Sequence, residues 1–144
     1  MCSPVARRTS AGSWLPFPVP RRALLLRRKS GEVAAVRSVA IDCEQSDGVV
    51  VSASSGPHSA YIAGRSDGRL YRRVARGRWE RVRDGWPEPA STIAPLLSAG
   101  TKGGELWAAD ERGVHRSDDG GKSWRRAVGY ATSPQHLRGL ALVP

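Results

Sequence analysis

Between residues 36 and 144 the chain alternates short apolar runs with polar, glycine-bearing turns, a rhythm that predicts β-strands. Val39 and Ile41, residues 49–52 and residues 106–108 supply the β-branched and apolar content that suits a pleated, half-buried surface. Gly48, Gly56, Gly68, Gly104, Gly113 and Gly121 punctuate these runs. The predicted strands are 36–42, 49–53, 69–74 and 78–82, followed by 92–98, 105–109, 113–117 and 123–128. Residues 56–67 are either an insertion between the second and third strands or contain a strand at 60–64. The last run, Leu137-Arg138-Gly139-Leu140-Ala141-Leu142-Val143, is patterned like Val36-Arg37-Ser38-Val39-Ala40-Ile41-Asp42 and is expected to open a third unit. With no hairpin after it, the chain is expected to be a piece of a longer repeat.

The two groups of four strands carry an internal repeat. Trp79 and Trp124 lie 45 residues apart in similar surroundings. At an offset of 44, Leu70 matches Val114, Arg72 matches Arg116 and Gly77 matches Gly121. Ala63 and Gly68 match Ala108 and Gly113 at an offset of 45, so the alignment shifts by one residue on each side of the hairpin. Four antiparallel strands repeating every 40–50 residues fit the blades of a β-propeller. The expected fold is therefore all-β: about two four-stranded blades plus the first strand of a third, an incomplete propeller. Two blades cannot close a ring, so their faces and edges predict self-association or further chain.

The most specific local signal is Ser117-Asp118-Asp119-Gly120-Gly121-Lys122-Ser123-Trp124, which fits Ser-x-Asp-x-Gly-x-Ser/Thr-Trp. A short carboxylate such as Asp119 can accept hydrogen bonds from the backbone of its own turn. Gly121 can take a positive φ. Ser117 and Ser123 can bond across the hairpin ends, while Trp124 buries a large ring between sheets. The first unit carries a degenerate copy, keeping Gly77 and Trp79 but with Arg73 and Ala75 where Ser and Asp are expected.

This motif resembles the BNR or Asp-box repeat of sialidases, sortilin-type receptors, the photosystem II assembly factor and many glycosyl-hydrolase-like bacterial proteins. The resemblance covers about residues 36–144. It implies a propeller in which Asp119 is a folding element at the blade periphery and not a catalytic acid.

Composition changes this picture at one end. The net charge of +10 invites a nucleic-acid reading, but residues 1–40 hold eight Arg or Lys against one acid, so +7 of it belongs there. Residues 1–35 read as a basic, Pro/Arg-rich disordered extension, and residues 36–144 as the partial propeller. Nucleic acid is not expected as a partner beyond non-specific contact by the tail. Pro16, Pro18 and Pro20 interrupt the apolar stretch near the start, which argues against a secretory signal. An Arg/Ser-rich start also resembles an organelle transit peptide; a cytoplasmic location is the expectation kept. No apolar run approaches the roughly 20 residues that cross a bilayer, and no membrane partner is expected.

Candidate chemistry is sparse. Cys2 and Cys43 form no disulfide framework, and His58, His115 and His136 are scattered with no zinc-ligand spacing, so no metal or cofactor is expected. His115 is expected to point out of its strand as a partly exposed residue. Gly103-Gly104 and Gly120-Gly121 are turn pairs with no phosphate-loop spacing. A sialidase-type enzyme needs an arginine cluster, a Tyr/Glu nucleophile pair and an acid Asp. Tyr61, Tyr71 and Tyr130 lack a recognisable Glu partner, and Glu80, Asp84, Glu105 and Asp110 read as solvated strand or turn residues. No catalytic residue is assigned. The expected role is a non-catalytic binding or assembly scaffold with a protein or glycan ligand; the alternative is part of a glycosyl-hydrolase-like enzyme whose catalytic residues lie mostly outside this chain.

Overall fold

The structure, a computed structural model, describes residues 25–27, 33–45, 48–56, 66–88 and 92–143. Nine strands form two antiparallel sheets among these residues. The first has the order β1 (Leu25–Arg27), β2 (Val33–Ile41), β3 (Val49–Ser54), β4 (Arg69–Arg73) and β5 (Trp79–Arg81). The second contains β6 (Leu96–Ala99), β7 (Leu106–Asp110), β8 (Gly113–Ser117) and β9 (Arg125–Gly129). Each strand pairs with its sequence neighbour, as expected where short turns join runs of period-two polarity.

Strand ends differ from the sequence expectation for local reasons. The expected strand at 92–98 begins as a ladder at Leu96, because Pro95 has no N–H to give and the Ile93 N–H is held by the Glu111 carboxylate at 2.9 Å. Likewise β9 begins at Arg125, because the hairpin takes the Ser123 N–H and the Asp84 carbonyl takes the Trp124 N–H. The run 137–143 forms no strand, which corrects the expectation of a third unit's opening strand. A strand exists through its ladder neighbour, and this run is tied instead by a side chain: Arg37 donates to the Leu137 carbonyl at 2.8 Å. At the other end, Leu25–Arg27 pairs with Val33–Ala35 inside the stretch expected to be an extension. The expected strand at 60–64 lies outside the described residues.

The two sheets pack through one apolar cluster. Ala40, Val50 and Leu70 of the first sheet meet Leu97, Leu106 and Ala108 of the second, with Val82, Trp86 and Trp124 completing the layer. Burying each of the larger aliphatic side chains contributes about 1.5–3 kcal/mol. Hydrogen bonds stitch the seam: the Leu97 N–H donates to Ser38 Oγ at 3.0 Å and the Gly104 N–H to Asp42 Oδ2 at 2.9 Å. A register shift between Val36 and Ser38 re-aims Arg37, as bulges do. Its guanidinium reaches the Ala94 carbonyl at 2.6 Å.

The registers also define how the sheets stack. Arg72 lies opposite Val50, and its repeat counterpart Arg116 lies opposite Trp107. Leu70 and Val50 therefore correspond to Val114 and Trp107, while Tyr71 and Val51 correspond to His115 and Ala108. Leu70 and Val50 face the shared core, but on the second sheet it is Ala108 and His115 that face it. Corresponding faces point the same way, so the front of one sheet packs on the back of the next.

Candidate functional site

The hairpin at 117–124 is built by its own side chains. Ser117, the last residue of β8, is buried and its hydroxyl works both ways. It accepts from the Gly121 N–H at 2.9 Å and donates to Asp119 Oδ1 at 2.8 Å. Asp119 Oδ1 also accepts from the N–H groups of Lys122 and Ser123, at 2.9 and 3.0 Å, and Oδ2 accepts from the Ser123 hydroxyl. Gly120 and Gly121 take φ of +71° and +82°, which closes the turn. A side chain at Gly121 would sit 2.5 Å from Val50 of the neighbouring sheet. Partial burial pushes the Asp119 carboxyl up, but the donors from Ser123, Ser117 and Lys122 outweigh it and hold it below the usual carboxylate range.

Trp124 carries this hairpin into the core. It is 4% exposed, its Nε1–H donates to the Gly121 carbonyl at 3.2 Å, and its backbone lies against Gly85. The ring stands edge-on to Trp86 with centroids 5.5 Å apart. In the degenerate copy Trp79 lies in the ladder opposite Arg73, whereas Trp124 precedes the first ladder residue of β9, Arg125. Trp79 is only partly buried, against Val51, Ala53 and Tyr71 on the far face of the first sheet. Gly77 takes φ of +72°, and its turn is closed by backbone alone: Gly77 N–H to Val74 carbonyl at 3.1 Å and Val74 N–H to Arg78 carbonyl at 2.8 Å.

Next to Trp124 lies a cluster that residue patterning does not reveal. His115 is 2% exposed, which corrects its expected outward placement: β8 turns it into the shared core. Its ring lies 4.7 Å from that of Trp86, over which the Arg112 guanidinium stands at 5.7 Å. Asp110, expected to be solvated, is fully buried. It ends β7 and accepts from the Arg112 N–H and Nε at 2.8 Å each, so a buried carboxylate is paired and hydrogen-bonded. Burial lowers the His115 pKa, Asp110 opposes this, and Arg112 and Arg126 add to it. The imidazole is held neutral. Trp86, Arg112, His115 and Arg126 border a hollow of about 280 Å³.

The other candidates are dispersed. Glu105 is ion-paired with Arg116, which lies over the Trp107 ring at 5.3 Å. Glu80 pairs with Arg78 at the surface, and Asp84 supplies its carbonyl to Trp124. Tyr71 is buried in the first sheet, Tyr130 follows β9, His136 is exposed and Cys43 is a half-buried free thiol. Cys2, His58 and Tyr61 lie outside the described residues. Among the described residues no three His, Cys, Asp or Glu side chains gather into a metal-binding group.

These features define an all-β chain of two stacked antiparallel sheets, braced by a Ser/Asp/Gly/Ser/Trp hairpin. Comparison with protein-family models, curated proteins and solved structures returns no match.

Proposed function

We propose that the chain is a two-blade portion of a BNR/Asp-box type β-propeller, acting as a binding and assembly scaffold without catalysis of its own. The observation that carries this reading is the front-to-back stacking of the two sheets in matching repeat register. Such stacking leaves one unused front and one unused back. On the first sheet that back includes Val39 and Ile41, each 53% exposed, beside partly buried Trp79. On the second sheet the front carries Trp107, Val114 and Val128, the last 52% exposed. Each is the repeat counterpart of a face that is covered within the chain, so a second copy adds head to tail in the same geometry. Head-to-tail contacts of this kind close into rings or run on as filaments. Asp119 is consistent with a scaffold: a carboxylate surrounded by donors and kept ionised is an acceptor with no proton to give.

Sedimentation of the purified chain tests the reading. Self-association that is weakened by Val39→Lys/Ile41→Lys is expected. A monomer at all concentrations, indifferent to that change, removes the assembly role. Turnover of fluorogenic sialosides or glycosides by the folded chain would overturn the non-catalytic part.

A further inference from the structure

The two repeat hairpins converge on a cleft of about 590 Å³, bordered by Arg72, Arg73 and Arg76 on one side and by Asp119 and Lys122 on the other. Among the described residues its charge is lopsided: four cations face a single carboxylate. That carboxylate is already occupied by Ser117, Lys122 N–H and Ser123 within its own turn. Several other arginines are paired locally, Arg69 with Asp67, Arg81 with Glu88, Arg112 with Asp110 and Arg116 with Asp118. Among the described residues, no acid pairs with Arg72, Arg73, Arg76 or Lys122.

The repeat shows how this charge came to be concentrated there. At the offset of 44 that aligns Gly77 with Gly121, Arg73 stands in the place of Ser117, Ala75 in that of Asp119 and Arg76 in that of Gly120. The first hairpin therefore lacks the internal acid and carries two added cations, and its backbone closes the turn unaided. Arg76 keeps the conformation of its glycine counterpart, with φ of +64° against +71°. A left-handed non-glycine residue costs about 1 kcal/mol that glycine would avoid. A strained arginine where the repeat itself offers glycine marks a side chain held for its charge.

We propose that this cleft binds a compact oligoanion carrying two or more adjacent phosphate or sulfate groups. Guanidinium forks match the paired oxygens of such groups, and Lys122 supplies a point charge from the opposite hairpin. Concave walls concentrate the field of the four cations and draw the anion in.

Calorimetric titration of the full chain at low salt tests this, with inorganic tripolyphosphate and, separately, a heparin-derived sulfated tetrasaccharide. Arg73→Ser/Arg76→Gly should weaken binding at least about tenfold and lower the slope of log K against log salt by about two, one for each cation removed. The melting temperature of this variant should stay at or above that of the unaltered chain, because Arg76→Gly relieves the strain. Lys122→Ala, on the other hairpin, should weaken binding by itself. The combined Arg7→Ser, Arg8→Ser, Arg21→Ser and Arg22→Ser change in the basic tail should leave the affinity in place. Binding of one probe and not the other supports the cleft and identifies the source of the anion. The proposal is overturned if neither probe binds, if the cleft variants bind like the unaltered chain, or if the loss follows the tail arginines.

Discussion

Trp79 and Trp124 are the same residue type at matching points of the repeat, yet they do different work. Trp124 is sealed between two sheets, so Trp124→Ala should cost about 3–5 kcal/mol in chemical denaturation. Trp79 faces a side on which the described residues place no second sheet, and Trp79→Ala should cost about 1–2 kcal/mol. Equal losses would contradict the front-to-back stacking. The pattern of residues identifies both tryptophans but not this difference, because burial depends on what stands opposite. His115 illustrates the same limit. Its depressed pKa means that the unfolded chain takes up the proton first, so stability is highest above the ordinary histidine value of 6.5 and falls as pH drops through it. Denaturant midpoints measured at about pH 7.5 and about pH 5, on either side of that value, should show this fall. His115→Phe should flatten it, while His136→Gln at the exposed site should not. A pH response unchanged in the His115 variant would contradict the buried, neutral imidazole.

At the scale of elements, the hairpin at 117–124 is legible in the sequence because its bonds are local. Ser117, Asp119 and Ser123 satisfy one another within one short turn of chain. The segment that receives Trp124 is not legible in that way. Gly85 has φ of +65°, and a Cβ there would come within 1.7 Å of the Trp124 carbonyl oxygen. Gly85→Ala should therefore cost about 3 kcal/mol or more, from left-handed strain together with displacement of the hairpin. Gly139→Ala meets nothing within 4 Å, and its stability should fall within about 0.5 kcal/mol of the parent chain. A thermal melt that finds the two alike would show that the 82–88 connection does not clamp the hairpin. The strands expected for the two units lie within a few residues of those observed, since period-two polarity and glycine turns are properties of neighbours along the chain. The expectation fails at 137–143, where a strand-like pattern has no ladder to join.

For the whole molecule, the exposed Val39, Ile41 and Val128 are where association would make stability depend on concentration. If copies add head to tail, dilution should lower the melting temperature, because association stabilises by mass action. Val39→Lys/Ile41→Lys should abolish that dependence and leave the melting temperature near its dilute value. A concentration-independent transition in the unaltered chain would argue that the exposed apolar positions are ordinary surface. The cleft between the hairpins belongs to this scale too. Arg73 and Arg76 come from one unit and Lys122 from the other, and only the stacking of the sheets brings them to the same hollow.

By itself the sequence determined the all-β class, the order of β2 to β9, the repeat and the self-contained Ser117-to-Trp124 hairpin, since each rests on bonds or alternation within a short stretch of chain. Tertiary structure alone decided which tryptophan is buried, that Asp110 and His115 lie in the core, and that one hairpin's cations face the other's lysine. Many of those outcomes depend on residues far apart in the chain, as with Trp86 and Trp124 or Asp42 and Gly104. Alternation fixes which face a residue is on; what covers that face is settled when the sheets stack.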